Sequence, residues 1–166
     1  MTLREGVARF VIFEEEHREL GEILSWIYAE SRAKAVLLVD TAGQLMREWG
    51  NTAGLDVTSF CSLAASNIAA TATMARLMGE NDFTILFHQG KKDSLHISLI
   101  GLRVILIVIF GSDASLGLVR LRVRKAAQRI ETVIQRIIRR MGVEDRLDLD
   151  PLGEISEQDI DELFSF

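Results

Sequence analysis

The three histidines and the single cysteine are the first side chains to consider for a transition-metal site or a thiol nucleophile. His17, His88 and His96 stand without cysteine or carboxylate partners at the spacings of a metal site. We interpret them as surface or strand-face histidines. Cys61 falls in an uncharged stretch, a setting typical of a small buried hydrophobe rather than of a nucleophile. These residues therefore predict neither a metal site nor covalent catalysis.

Two glycine-containing loops are superficially similar to phosphate-binding loops. Gly90-Lys91-Lys92 lacks the upstream glycine of such a loop, since position 85 is isoleucine, so we predict a charged hairpin turn. The stretch GSDASLG, residues 111–117, has no dinucleotide-binding spacing beside it, and we predict a loop that caps a helix. No set of residues suited to an enzyme emerges. We therefore expect no catalytic residues, no cofactor and no bound metal.

The composition is that of an ordinary globular protein. Its 166 residues, 48% hydrophobic and 26% charged, suffice for one domain with a full core plus a tail. The single cysteine excludes an internal disulfide and no signal sequence is visible, so we expect a cytoplasmic protein. A net charge of −5 disfavours a general nucleic-acid binder.

The hydrophobic pattern gives the order of elements that must carry any site. An amphipathic helix at 12–32 precedes a hairpin that turns at Thr41 to Gly43, where Gly43 is expected to take a positive φ. Asp56 can cap a second helix that runs to about Met78, and three strands and a helix at 116–141 follow. We predict an α+β fold of order α-β-β-α-β-β-β-α, with a five-stranded antiparallel sheet, helices on both faces, and the almost wholly apolar last strand at its centre.

The second helix carries no ionisable acid or base from Val57 to Ala75. Its many hydroxyl groups and Asn67 argue against a membrane span. A helix without charges is usually buried on two sides, so we favour one side packed on its own sheet and the other on a second copy of the chain. A helix deeply buried within a single chain is the alternative.

The chain divides into a domain at 1–141, a linker at 142–153 and an acidic segment at 154–166. In that segment Ser156 can cap a short helix, Asp159 can complete a capping box, and Ile160, Leu163 and Phe164 share one face. Such a helix is marginal alone and needs a surface. Docking on its own domain, binding a partner and serving as a solubilising tail all remain open.

Charge alternates between segments. Residues 115–141 carry +7, residues 144–166 carry −8, and the first helix carries −4. We expect the basic last helix to pack against the acidic first helix, because each then neutralises the other.

Three stretches together resemble the roadblock/light-chain family, and within it the MglB branch, the bacterial regulators of the Ras-like GTPase MglA. They are AKAVLLVDTAGQLM, LDVTSFCSLAASNIAATATMARLMGENDFTILFHQGKKDSLHISLIG and RVILIVIFGSDASLGLVRLRVRKAAQRI. The flanks FVIFEEEHREL and EISEQDIDELF are also similar to that branch, so the resemblance spans essentially the whole chain.

The resemblance implies a homodimer with paired second helices, which activates a small Ras-like (MglA-like) GTPase without donating an arginine finger. It also implies roles in cell polarity and motility, a position at a cell pole, and a C-terminal helix that makes a second GTPase contact and affects nucleotide exchange. The implied GTPase contacts are Ala65, Ser66, Asn67, Ala69, Ala70 and Thr73 on the second helix, and Ile160, Leu163 and Phe164 on the C-terminal helix.

One position departs from the resemblance. Relatives commonly have Ala-Gly-Asn where this chain has Ala65-Ser66-Asn67, and the added hydroxymethyl group can weaken a close contact or change the partner. Two other functions stay open at this point. The first is a non-catalytic roadblock scaffold that recruits a signalling partner, and the second is an adaptor that binds a signalling protein through the acidic segment alone.

Overall fold

The computed structural model describes residues 13–142, and within them three helices and five strands follow one another in the predicted order. The elements are α1 (Glu14–Ser31), β1 (Ala35–Asp40), β2 (Leu45–Gly50), α2 (Val57–Leu77), β3 (Ile85–Gln89), β4 (Ser94–Ile100), β5 (Val104–Phe110) and α3 (Leu116–Arg140). The predicted linker at 142–153, save Gly142, and the acidic segment at 154–166 lie outside the described residues.

The predicted helix caps are present. The Asp56 carboxylate accepts a hydrogen bond from the Ser59 backbone N–H at 3.1 Å, which begins α2. The Ser115 hydroxyl accepts one from the Leu118 N–H at 3.2 Å, which begins α3 and makes residues 111–117 a capping loop. Each cap satisfies one backbone donor that the first helical turn leaves free.

The sheet is antiparallel throughout, with the strand order β2-β1-β5-β4-β3. The apolar β5 lies at its centre, as predicted, because a strand buried on both faces can be apolar at every position. Residues 90–93 form the predicted charged turn, in which the Gly90 N–H donates to the Asp93 carbonyl at 3.0 Å. Strands β2 and β3 form the two edges.

Each face of the sheet carries its own hydrophobic core, so the predicted helices on both faces are confirmed. Side chains of α1 and α3 pack on one face and side chains of α2 pack on the other. Neighbouring residues of β1 alternate between the cores, with Val36 and Leu38 toward α1 and α3, and Leu37 and Val39 toward α2.

The expected neutralisation between α1 and α3 is observed. Arg136 Nη1 lies 2.6 Å from Glu19 Oε2, and Arg140 lies 3.0 Å from the buried Glu16 carboxylate. Arg122 pairs with Glu30 at 3.3 Å. The other basic side chains of α3 form no ion pair within residues 13–142.

The first hairpin touches α2 through Gly43. Its φ of +89° is the positive value expected of it, and a Cβ built there would lie 2.9 Å from the Ser62 Cα. Asp40 stabilises the turn by accepting hydrogen bonds from the N–H groups of Ala42 and Gln44 at 2.9 and 2.8 Å. Glycine is therefore required both for the turn and for the close approach to the helix.

No helix among residues 13–142 has the length and apolar character needed to cross a membrane.

Candidate functional site

Helix α2 has one buried side and one exposed side, and neither carries a charge before Arg76. Toward the sheet it presents small or β-branched groups, namely Cys61, Ala64, Ala65, Ile68 and Ala75. Its opposite side is exposed and holds what we call the outer face of α2, comprising Ser62, Leu63, Ser66, Ala69, Ala70, Thr73, Met74 and Leu77. The outer face is a surface that lacks the charges normal for a solvated helix.

Large apolar side chains stand out from this face. Leu63 is 69% exposed, Met74 57% and Leu77 85%. Their spacings of 11 and 3 residues place them on one stripe of the helix. Large exposed apolar side chains aligned on one side of a helix are typical of a binding surface, whereas single exposed apolar residues are not informative.

Two of the three hydroxyl groups of the outer face, those of Ser66 and Thr73, are already hydrogen-bonded within the helix. Ser66 Oγ donates to the Ser62 carbonyl at 3.0 Å, and Thr73 Oγ1 donates to the Ala69 carbonyl at 3.2 Å. A hydroxyl paired in this way can lose its water at little cost when another surface covers it. The outer face can therefore form a dry contact despite its serines and threonines.

Asn67 connects the outer face to the edge of the sheet. Its Nδ2 lies 3.3 Å from Nε2 of His88 on β3, and its backbone carbonyl accepts from Thr71 Oγ1 at 2.8 Å. Because β3 is an edge strand, its outer backbone groups have no neighbouring strand within residues 13–142. An unpaired strand edge thus lies beside the outer face of α2.

Five of the six residues assigned to α2 by resemblance lie together on the surface or at its margin. Ser66, Ala69, Ala70 and Thr73 are exposed and Asn67 is half-buried. Ala65 is different, because it is only 7% exposed and packs in the core between α2 and the sheet. Ile160, Leu163 and Phe164 lie outside the described residues.

Sequence reasoning missed the three large apolar residues of the outer face and the His88 partner of Asn67. The spacing of Leu63, Met74 and Leu77 is visible in the sequence. However, apolar or small residues occur on every side of α2, so no polar stripe marks which side turns away from the sheet.

The side chains capable of metal or nucleophilic chemistry are arranged for neither. No group of three or more potential metal ligands forms within the part of the chain that the structure describes. Burial, with a smaller effect of Glu48, raises the pKa of Cys61 to about 11, which keeps the thiol protonated. The His17 side chain contacts the Arg47 side chain of β2. The outer face of α2 consequently remains the strongest candidate for a functional surface.

Comparisons with known proteins identify the family of this fold. Residues 21–110 match the family model described as the Roadblock/LC7 domain. MglB of Myxococcus xanthus is 42% identical, with 76% of this chain and 96% of that chain covered and a TM-score of 0.72.

Two further solved structures are similar. The gliding protein MglB from Thermus thermophilus is 25% identical, with 76% of this chain and 96% of that chain covered and a TM-score of 0.72. An MglB with a tetrameric arrangement is 26% identical, with 78% and 97% covered and a TM-score of 0.72. Comparison with curated protein sequences finds no match.

Proposed function

Because this chain belongs to the Roadblock/LC7 family, we propose that it is a homodimeric regulator that binds a small Ras-like, MglA-like GTPase and stimulates its hydrolysis of GTP. The observation that carries this proposal is the outer face of α2, which is exposed, apolar and free of charge from Val57 to Ala75. Such a face is more stable when covered than when solvated. The similarity to MglB proteins supports the choice of a GTPase as partner.

Self-association is proposed through α2 and the adjoining edge of β3, with the paired helices together building the surface that contacts the GTPase. The small side chains Ala69 and Ala70 allow the backbones of two helices to approach closely, and a symmetric pair uses the same surface twice. Leu63, Met74 and Leu77 then supply the apolar area of the contact. The tetrameric arrangement of one MglB relative is consistent with self-association in this family.

Activation is proposed to act by positioning the GTPase's own catalytic residues. The outer face presents no arginine, and the only arginine of α2, Arg76, donates a hydrogen bond from Nη2 to Thr73 Oγ1 at 3.2 Å. Holding catalytic groups and water in place ahead of reaction lowers the barrier without any new catalytic group, because the reorganisation has already been made. This protein is therefore a regulator and not itself an enzyme in our proposal.

We propose that a second contact with the GTPase is made by Ile160, Leu163 and Phe164. Ser66 is proposed to change the strength of the first contact, which α2 makes. The Ser66 hydroxyl turns back on its own helix, yet its Cβ still occupies space that a glycine leaves free. By resemblance to MglB we also propose a cytoplasmic protein with a polar position, acting in cell polarity and motility.

The test is GTP turnover by a purified small Ras-like, MglA-like GTPase from the same organism, with and without the full chain. We expect wild type to raise turnover and Ala69→Arg to abolish most of the rise, since a buried unpaired charge costs several kcal/mol, about 3 or more. The matched control is Gln128→Arg, which adds the same charge to the exposed side of α3. Arg76→Ala should retain the stimulation.

Each other outcome is decisive for one part of the proposal. Binding without faster turnover would replace activation by the scaffold function. Loss of stimulation with Arg76→Ala, binding being intact, would show a donated arginine and contradict the positioning mechanism. Equal stimulation by Ala69→Arg and wild type would show that the outer face of α2 is not part of the GTPase contact.

A further inference from the structure

A second surface lies on the opposite face of the sheet from α2. It is a cleft of about 500 Å³ between α3 and the strands β3 and β4, which we call the α3 cleft. Its apolar lining includes Ile85, Val123 and Ala127, and His96 contributes the most deeply buried polar side chain. The proposed dimer contact uses the outer edge of β3, which borders this cleft, and the proposed GTPase contact on α2 lies on the other face of the sheet.

His96 has an unmet hydrogen-bonding capacity at the cleft. The residue is 1% exposed, and its Nδ1 lies 3.2 Å from Ser98 Oγ. Its Nε2 has no hydrogen-bond partner among residues 13–142. A buried polar atom without a partner is costly, so a bound group that offers a hydrogen bond there would be favoured.

The wall of the cleft formed by α3 is basic. Arg120 and Arg124 line it, and in the part of the chain that the structure describes neither makes an ion pair. This separates them from Arg122, Arg136 and Arg140, which pair with α1. Glu131 is the one acid of the lining, so the cleft favours an occupant with acidic groups around an apolar face.

We propose that the α3 cleft binds the acidic segment of this same chain, residues 154–166. Five of its thirteen residues are acidic and none is basic. Ile160, Leu163 and Phe164 would enter the apolar lining, while the flanking carboxylates would pair with Arg120 and Arg124. A hydroxyl of the segment would also meet Nε2 of His96, which remains neutral.

The chain is long enough for this docking. From Arg140 back to Arg124 the helix rises about 24 Å at 1.5 Å per residue. Residues 143–153 span up to about 36 Å when extended. The inference goes beyond the proposed function and does not depend on it. Where both hold, the cleft and the GTPase compete for one segment.

The first experiment compares NMR spectra of two full-length chains, wild type and Ile160→Ser/Leu163→Ser/Phe164→Ser. Within residues 13–142, we expect the largest chemical-shift differences at Ile85, His96, Val123 and Ala127. Differences confined to the outer face of α2 would place the segment on that face and overturn the proposal. Unchanged spectra for residues 13–142 would show no docking and overturn it as well.

The second experiment measures binding of a fluorescent peptide of residues 154–166 to the full-length triple-serine chain by anisotropy. Adding Arg120→Glu/Arg124→Glu should weaken binding about tenfold, because two attractions become repulsions. The control, Lys125→Glu/Arg129→Glu, makes the same charge change on exposed α3 residues outside the cleft. Equal weakening by both pairs would indicate nonspecific attraction to α3 and contradict the α3 cleft as the site. Thermal unfolding of each variant confirms that it is folded.

Discussion

His96 occupies a position that is unfavourable for a charged imidazole. Burial, followed by the positive charge of Arg120, lowers its pKa from 6.5 to about 4. Arg124 and Glu131 also line the space beside it. In the unfolded chain the same imidazole binds a proton near its ordinary pKa. Since the unfolded state binds more protons between these two values, the stability due to this residue is lost as the pH falls from 6.5 toward 4.

We therefore predict a pH-dependent difference in stability between wild type and His96→Gln, which stays neutral. Between about pH 7.5 and about pH 5, wild type should lose about 2 kcal/mol more free energy of unfolding than the variant, as follows from the two pKa values. Denaturant titrations at a series of pH values measure this loss. The other histidines and the carboxylates contribute equally to both proteins. Parallel stability curves would show that His96 binds protons equally in the folded and unfolded states, which would contradict a lowered pKa.

At the level of elements, the position of α2 depends on a turn as well as on its own sequence. Gly43 packs against the Ser62 backbone and has a positive φ, whereas Gly54 has a positive φ of +78° with nothing within 4 Å of the added Cβ. The two glycines share the conformational requirement and differ only in the close approach. They form a matched pair for measuring how tightly the first hairpin holds α2.

Gly54→Ala should lower the free energy of unfolding by about 1 kcal/mol through backbone strain alone. Gly43→Ala should lower it by about 2 to 4 kcal/mol, because overpacking against Ser62 adds to the same strain. Chemical denaturation of both variants gives the difference. Equal losses would mean that the hairpin yields freely and does not fix the helix.

At the scale of the whole molecule, local sequence patterns predicted the fold. They predicted the candidate functional surface only in part. The apolar run of β5 specified a central strand, and Asp56 and Ser115 marked two helix starts in the sequence itself. The orientation of α2 was not marked in the sequence, because small apolar residues occur all round it. Ala65 was assigned to the GTPase contact by resemblance alone, and the structure places it in the core between α2 and the sheet.

The α3 cleft could not be predicted for a different reason. It arises where α3 leaves part of β3 and β4 uncovered, and the offset between a helix and a sheet depends on packing along the whole length of both. His96 alternates in sequence like any half-buried strand residue, so nothing local distinguished its unpaired nitrogen.

The outer face of α2 is the central contact surface of the proposed regulator, and sedimentation equilibrium of the full chain during serial dilution measures whether two copies meet there. We predict that wild type and Gln128→Arg sediment with twice the chain mass at micromolar concentration, while Ala69→Arg sediments as a folded monomer. A wild-type protein that is monomeric at every concentration, or an Ala69→Arg dimer as tight as wild type, would show that the outer face of α2 is not a dimer contact.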